Sequence, residues 1–292
     1  IRRSIMKLVT FSEEGERKIG RLEGDKIIDL SSASLAEDMI ALISCPESLK
    51  IAQTMPGESH LLSDLELLSP IPNPKKIIAI GLNYKDHIEE TGLATPEFPM
   101  FFNKQSTSVN GPYSDIHLPK VSDKLDYEGE MGFVIGKKCR HVSREEASSV
   151  IAGYVVCNDV SVRDWQMKAQ TFTLGKSFDT HSPFGPWLTT EDEIEDPHNL
   201  AIKTWVNDEL RQDSNTRHLV FDCYDQIATL TAAFTLEVGD VILTGTPSGV
   251  GIGFDPKKFL GAGDRVRVEI EKLGHIENTV VPEPASTKLI QA

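Results

Sequence analysis

The chain has 292 residues and a formal net charge of −14 at pH 7, with 39% hydrophobic and 25% charged residues. This composition is typical of a globular protein, and the acidic balance argues against partners such as nucleic acid or an anionic membrane. The four cysteines are scattered without a C-x-x-C pair, which favours a reducing compartment over a disulfide framework or a zinc site. No apolar run has the length of a membrane span, and the first residues are too weakly apolar for a signal peptide, so we expect a cytoplasmic protein.

The first 70 residues have the pattern of a small β-rich module. Short alternating segments broken by glycines over residues 6–30 predict two or three antiparallel strands. Apolar residues at helical spacing predict a helix over 34–44, opened by a capping box at Ser34, and a second helix over 46–53. The prolines of segment 70–74 favour an extended conformation, and we place a domain boundary there.

A short helix that carries a histidine and a glutamate follows this boundary. Residues 76–81 are predicted to form a buried strand, and residues 83–92 a helix that Gly92 closes. His87 and Glu90 are three residues apart on this helix, so their Cβ atoms lie about 5–6 Å apart. Glu90 is therefore close enough to orient and charge-stabilise the imidazole, although an incidental surface pair has the same spacing.

Two carboxylates interrupt a segment that otherwise has the pattern of a buried strand. Glu128 and Glu130 are two residues apart and share one strand face, at about 6.5–7 Å between Cα atoms, with the apolar side chains on the other parity. Because converging carboxylates repel, they need a cation or a shared proton, unless they are ordinary acids on an exposed edge strand. The apolar strand predicted over 151–158 ends at Asp159, and a third carboxylate would complete a site for Mg²⁺, Mn²⁺ or Ca²⁺.

Further polar residues follow this strand. Residues 160–166 are predicted to be helical, which places Arg163 and Gln166 on one face. Lys176 lies in a predicted loop, from which its amine could reach a metal-bound anion, although a solvated loop lysine is the commoner case. The glycine-rich turn over 245–251 lacks the signature of a nucleotide loop, but its backbone amides could hold a carboxylate.

The other predicted elements are mostly strands. They comprise strands over 100–104, 115–119, 236–244, 265–270 and 276–281, a hairpin over 200–211, a short helix over 144–151 capped by Ser143, and a helix over 221–234. No internal repeat or low-complexity segment accompanies them. This pattern predicts a mixture in which strands predominate.

Five motifs together resemble the fumarylacetoacetate hydrolase family. They are GLNYKDHIEE at 81–90, DYEGE at 126–130, NDVSVRDWQ at 158–166, GKSFD at 175–179 and TGTPSGVG at 244–251. The resemblance covers residues 72–282 in order and implies an α+β, predominantly β fold, a mixed-strand β roll or sandwich with a small amino-terminal module. It also implies a homodimer. We expect an amino-terminal module over 1–70, a catalytic domain over 71–283 and a tail over 284–292.

The resemblance also implies roles for individual residues. It implies that a bound Mg²⁺ or Mn²⁺ is held by Glu128, Glu130 and Asp159. It implies an acid–base pair on a lid helix, His87 with Glu90, and further polar residues of the site, which are Lys176 as a catalytic residue and Arg163, Gln166 and Thr246 as substrate-binding residues.

The chemistry of such a site predicts an enzyme that acts on a small anionic 2-oxo acid. Our leading hypothesis is a divalent-metal-dependent hydrolase that cleaves a C–C bond in an acylpyruvate or similar 2,4-dioxo acid and gives a pyruvate enolate. Decarboxylation of oxaloacetate, and isomerisation or hydration of a 2-hydroxymuconate-type acid, use the same enolate chemistry and compete with this hypothesis. The presence of His87 and Glu90 disfavours a non-enzymatic metal-binding protein.

Overall fold

The computed structural model describes residues 6–31 and 35–290. In this part of the chain there are nineteen strands, which are β1 Lys7–Glu13, β2 Glu16–Glu23, β3 Lys26–Asp29, β4 Ser59–Leu61, β5 Glu66–Leu68, β6 Ile77–Gly81, β7 Met100–Lys104, β8 Val109–Asn110, β9 Ile116–Leu118, β10 Leu125–Asp126, β11 Gly129–Ile135, β12 Ile151–Asn158, β13 Ser161–Val162, β14 Ser182–Thr190, β15 Ala201–Val206, β16 Glu209–Asn215, β17 Val241–Leu243, β18 Arg265–Ile270 and β19 Gly274–Pro282. The α-helices within the same ranges are α1 Met39–Ser44, α2 Pro46–Ala52, α3 Lys85–Thr91, α4 Arg163–Gln166, α5 Thr173–Lys176 and α6 Cys223–Ala233. None of these helices is long and apolar enough to span a membrane.

Most strands belong to two sheets that pack face to face. The larger sheet runs in the order β4-β3-β2-β1-β14-β12-β11-β17-β6-β7, and the smaller one in the order β16-β15-β18-β19-β9. The larger sheet is mixed, because β17 pairs parallel with β6 and antiparallel with β11. Strands β11 and β12 contact β15 and β18, and the main hydrophobic core includes Met131, Phe133 and Val268 from these strands. An α+β, predominantly β fold of mixed strands is thus confirmed.

The amino-terminal strands extend the larger sheet. The predicted meander is confirmed as β1, β2 and β3, and β1 pairs antiparallel with β14, with Leu8 opposite Leu188. Helices α1 and α2 contribute Leu42 and Ala52 to a second core that includes Val155 and Val241 of the sheet. The division at residue 70 stays a prediction. Strand β1, which precedes residue 70, is hydrogen-bonded to β14, which follows it.

Several predicted elements differ from the structure in their bounds. The helix expected over 34–44 begins at Met39, where Asp38 accepts a hydrogen bond from the amide of Ala41 at 2.8 Å. The capping box expected at Ser34 lies outside the described residues. The strand expected over 236–244 is limited to β17, and the turn after Ser143 is a 3₁₀ helix with a capping box.

The segment 160–166 is helical only in its second half. Residues Ser161 and Val162 form β13, which pairs antiparallel with β10, and α4 begins at Arg163. The helical prediction for the first half is wrong because strand pairing in the folded chain overrides a weak local pattern. The loop prediction for Lys176 is also wrong, since this residue ends α5 and is buried.

Candidate active site

The three carboxylates predicted to bind a metal lie together at one end of β11 and β12. The two strands are antiparallel, with Gly129 opposite Asn158, so Glu128 and Asp159 extend from their paired ends. The amide of Asp159 donates to the carbonyl of Glu128 at 2.8 Å. Side-chain oxygens of Glu128, Glu130 and Asp159, all of which are buried, lie within 4.8 Å of one another. The sequence-based expectation that these acids converge is confirmed.

Two of these carboxylates are paired with buried cations. The amine of Lys176 lies 2.6 Å from Glu128 and 2.9 Å from Asp159. A guanidinium nitrogen of Arg163 lies 2.6 Å from the second oxygen of Glu128. Burial opposes ionisation of Glu128, but Lys176 and Arg163 outweigh it and lower the pKa of this carboxyl to about 2. Glu128 is therefore charged.

Glu130 is the member of the cluster that lacks a cationic partner. Its carboxylate accepts a hydrogen bond from the amide of Gly245 at 2.7 Å, and no lysine or arginine of the described ranges forms an ion pair with it. Burial, followed by repulsion from Asp159 and Glu128, raises the pKa of Glu130 well above its usual value. An added cation beside Glu130 would remove this penalty.

The charges around the cluster fit a hard divalent cation. When all groups are counted as ionised, four buried carboxylates and three buried cations leave a formal charge of 3 − 4 = −1. These residues are Asp126, Glu128, Glu130, Asp159, Lys104, Arg163 and Lys176. The donors offered by the acids are oxygens, which Mg²⁺ and Mn²⁺ prefer. The residues present therefore suit the ion that the family resemblance implies.

Sequence reasoning missed two residues of this network. Lys104 ends β7, is buried, and pairs its amine with Asp159, at 3.0 Å from the carbonyl of His181. Asp126 accepts hydrogen bonds from Arg163 Nε at 2.7 Å and from the amide of Gly251 at 2.7 Å. The sequence does contain an indication of the burial of Lys104. It lies two residues after Phe102 and therefore on the same, buried face of the strand, whereas a solvent-facing lysine would lie on the other face.

Arg163 and Gln166 share one face, as predicted. Arg163 Nη1 donates to Gln166 Oε1 at 3.0 Å, which links the two ends of α4. Within the described ranges, Arg163 Nη2 is buried without a hydrogen-bond partner. Such a donor is costly unless it is satisfied by another group, and it lies on the side chain that binds Glu128. The substrate-binding role of both residues stays a prediction.

Thr246 lies in the glycine-rich turn, and its hydroxyl is tied to the framework. It donates to the carbonyl of Gly129 at 3.0 Å and accepts from Gln212 Nε2 at 2.8 Å. Gln212, which is buried and was not singled out from the sequence, also accepts from the amide of Gly129 at 2.9 Å. The turn is thereby fixed against β11, and the substrate-binding role of Thr246 stays a prediction.

The helix α3 carries the predicted acid–base pair. His87 Nδ1 lies 2.8 Å from Glu90 Oε2, and their side chains are 12% and 20% exposed. The second oxygen of Glu90 accepts from the amide of Gly249 at 2.9 Å, so the helix contacts the glycine-rich turn. The amide of Gly245, in the same turn, donates to Glu130 at 2.7 Å, so the turn joins the pair to the carboxylate cluster. The pair is thus not an incidental one on an open surface.

Comparison with known proteins decides the family. Residues 76–281 match the family Fumarylacetoacetate (FAA) hydrolase C-terminal, which is more than half of the chain. The chain belongs to the fumarylacetoacetate hydrolase family. Among curated relatives, this family member is 46% identical over 288 residues to a protein of Xenopus laevis named oxaloacetate tautomerase, mitochondrial, covering 94% of this chain and 90% of the relative.

Solved structures of other family members have the same fold. Maleylpyruvate hydrolase from Sphingobium sp. SYK-6, in complex with manganese(II) ion and pyruvate, is 36% identical, with a TM-score of 0.82 and coverage of 96% of this chain and 100% of that one. Fumarylacetoacetate hydrolase from psychrophilic Exiguobacterium antarcticum is 35% identical, with a TM-score of 0.85 and coverage of 95% and 100%. The fold expected from the family resemblance is confirmed.

The comparison also overturns the expected compartment of this family member. We expected a cytoplasmic protein from the cysteine pattern and the first residues. The Xenopus relative, which this chain matches over 94% of its length, is named as mitochondrial. The cytoplasmic expectation is wrong, because scattered cysteines report a reducing environment and do not distinguish between compartments that share one.

Proposed function

We propose that this protein is a divalent-metal-dependent enzyme that interconverts the keto and enol forms of oxaloacetate. The observation that carries the proposal is the position of the His87–Glu90 pair beside a buried cluster of three carboxylates, with one glycine-rich turn hydrogen-bonded to both Glu90 and Glu130. Such a site combines a group that moves protons with a place for a cation. The name of the Xenopus relative supports oxaloacetate as the substrate.

The cation would be held by Glu128, Glu130 and Asp159. A divalent ion at these oxygens would stabilise the negative charge that develops on a 2-oxo oxygen during enolisation. The manganese(II) ion in the similar maleylpyruvate hydrolase structure supports a divalent ion, and the oxygen donors suit Mg²⁺ as well. We therefore propose Mg²⁺ or Mn²⁺ as the cofactor.

His87 is the residue that moves the proton. When Nδ1 carries hydrogen and donates it to Glu90, Nε2 is the nitrogen free to accept a proton. Nε2 takes a proton from C3 of the keto acid and returns it to the 2-oxo oxygen, so one C–H bond breaks and one O–H bond forms. The carboxylate of Glu90 stabilises the imidazolium that forms between these steps.

The remaining polar residues hold the dianionic substrate. Burial opposes the charge of Lys176, but Asp159 and Glu128 outweigh it and raise the pKa of this amine. Lys176 therefore stays protonated and stabilises negative charge rather than acting as a base. The unpartnered Nη2 of Arg163 is available to a substrate carboxylate, with Gln166 and the Thr246 turn as further contacts.

Hydrolysis of a C–C bond in an acylpyruvate is the second candidate. The similarity to maleylpyruvate hydrolase, a solved structure 36% identical to this chain, favours hydrolysis over decarboxylation. In that reaction His87 would take the proton from water instead of from carbon. Tautomerisation and hydrolysis share the enolate and differ in whether a carbon–carbon bond breaks.

One experiment separates these functions. The protein is incubated with Mg²⁺ or Mn²⁺ and either oxaloacetate or acetylpyruvate, while enol absorbance, pyruvate and CO₂ are followed in parallel. We expect rapid enol–keto exchange of oxaloacetate without pyruvate or CO₂, and loss of the rate with a chelator. Release of pyruvate and acetate from acetylpyruvate at a higher kcat/KM would establish the hydrolase instead, and CO₂ from oxaloacetate a decarboxylase.

Compartment and assembly belong to the same proposal. The name of the Xenopus relative supports a mitochondrial protein, which fractionation of cells expressing the native full-length protein would test. A homodimer follows from the family resemblance only. Light scattering coupled to gel filtration would measure the mass against the 32.3 kDa of one chain.

A further inference from the structure

The start of helix α3 is fastened to the segment that follows the β15–β16 hairpin. The carbonyl of Asn83 accepts from the amide of Val220 at 2.8 Å, and the side chain of Asn83 bonds both the amide and the carbonyl of Phe221, each at 2.9 Å. Tyr84 also forms an antiparallel bridge with Leu219. These bonds fix the chain just before the helix, but none of them reaches the turn that carries the base.

Asp86 provides a bond within that turn. Its Oδ2 accepts a hydrogen bond from the hydroxyl of Ser214, on β16, at 2.6 Å. Its Oδ1 accepts from the backbone amide of His87 at 2.8 Å. One carboxylate therefore joins the hairpin to the backbone of His87. The Ser214 oxygen also lies 3.1 Å from His218 Nδ1, so the hydroxyl is held between two polar groups.

The second turn of the helix is held through a different residue. Glu90 contacts the glycine-rich turn through the amide of Gly249. Without Asp86, the imidazole would be positioned by Glu90 alone, since Nδ1 bonds only to this carboxylate among the described residues. Asp86 and Glu90 are four residues apart and lie on one face of the helix. Their two attachments hold successive turns of α3 and restrict movements that would displace His87 from the cluster. Displacements of this kind lower the catalytic rate even when the affinity for the substrate is unchanged.

We propose that Asp86 and Ser214 are positioning residues that hold His87 in its catalytic orientation over the carboxylate cluster. The inference rests on the proposed function in that His87 moves the proton. It goes beyond that function by assigning a role to a carboxylate and a hydroxyl that touch neither the cluster nor the substrate. Asp86 contributes through both oxygens and Ser214 through the single hydrogen bond to Asp86.

The test is a double-mutant cycle in which kcat and the dissociation constant of an inert substrate analogue are measured separately for each variant. Ser214→Ala should lower kcat for oxaloacetate about 10-fold while the dissociation constant of the inert analogue oxalate stays near that of the wild type. Ser214→Thr, which keeps a hydroxyl, should restore kcat. In an Asp86→Ala background, Ser214→Ala should cause no further loss, because its partner has already been removed.

The matched control is Asp213→Ala on the same strand. Asp213 is exposed and pairs across the hairpin with Lys203 at 3.4 Å, away from the contact with α3. This variant should have the kcat of the wild type. Equal losses of kcat in Asp213→Ala and Ser214→Ala would overturn the proposal that the contact between Asp86 and Ser214 anchors His87. Additive losses in the double variant, or a parallel loss of oxalate affinity, would overturn it as well.

Hydrogen exchange separates failure of the anchor from failure of the proposed function. Amides of α3 should exchange faster in Ser214→Ala than in the wild type, and Asp213→Ala should match the wild type. This measurement needs no turnover. A wild-type protein that is inactive on oxaloacetate but shows this exchange pattern would refute the proposed substrate and keep the anchor. Unchanged exchange in Ser214→Ala would refute the anchor whatever the activity.

Discussion

The carboxylate cluster and the helix α3 are held in place by opposite means. In the cluster, Glu128 and Asp159 are buried and bonded to cations that come from distant parts of the chain. On the helix, the side chains of His87 and Glu90 are partly exposed and bond mainly to each other. The first arrangement is built into the sheet, whereas the second is local and attached to the sheet at a few points.

In the proposed function, this difference divides the work of the site. A cation and the charged end of a substrate need a rigid set of compensated charges, which the β framework supplies. A base must be held in one orientation against the substrate, and α3 depends for this on a small number of hydrogen bonds, such as those of Asp86 and Glu90. We therefore expect changes in the framework to affect binding and stability, and changes on the helix to affect rate.

His87→Ala should give the largest effect and the clearest separation. A general base typically contributes about 10²- to 10⁴-fold, and we expect kcat to fall within that range. Oxalate binding should change little, because the residues proposed to hold the metal and the anion remain. Steady-state kinetics and calorimetric titration with oxalate measure the two quantities. A near-normal kcat would mean that His87 is not the base and that the helix does not perform chemistry.

Asp159→Ala should be the most harmful framework change. It leaves the buried amines of Lys104 and Lys176 without a shared partner, and removing one member of a buried ion pair costs roughly 3–5 kcal/mol. Urea unfolding in the presence of a chelator measures the loss.

Glu130→Gln is the matched comparison for Asp159→Ala. Its carboxylate has no cationic partner in the described ranges and is repelled by its neighbours, so the unfolding free energy without metal should be unchanged or higher. Glutamine also keeps an acceptor for the amide of Gly245. Equal destabilisation by the two variants would contradict the assignment of Glu130 as the uncompensated acid.

Metal binding should stabilise the wild type and distinguish the two regions. At 100 times the dissociation constant, a ligand that binds only the folded state adds about 2.7 kcal/mol to the free energy of unfolding. Glu130→Gln and Asp159→Ala should lose most of this gain, and His87→Ala should keep it. Thermal melts with Mg²⁺, with Mn²⁺ and with a chelator provide the measurement. A full gain in Glu130→Gln would remove Glu130 from the metal ligands.

Glu90→Gln should give the smallest effect, about a 10-fold loss of kcat. Glutamine keeps one acceptor oxygen, which can serve the Gly249 amide or His87 Nδ1 but not both, and it lacks the charge that stabilises the imidazolium. Glu89→Gln, an exposed neighbour on the same helix, is the control and should behave as the wild type. If both variants lose the same activity, net charge of the helix rather than the contact with His87 is responsible.

Local spacing determined much of the site from the sequence alone. Two residues of separation at the start of β11 brought Glu128 and Glu130 together, and three residues on a helix brought His87 and Glu90 to 2.8 Å. These predictions hold because strand and helix geometry fix the relation between near neighbours whatever the rest of the fold. The five motifs also predicted the family, and the match of residues 76–281 to that family confirms it.

Only the tertiary structure decided how the buried charges are balanced. Lys104 and Asp159 are 55 residues apart, and their pairing depends on the path of β7 relative to β12. Lys176 was expected in a loop and is instead buried at the end of α5 between two acids. Residues 161–162 form a strand because β10 lies beside them. Periodicity carries information about neighbours along the chain, whereas an ion pair between distant segments exists only once packing has brought them together and removed the water between them.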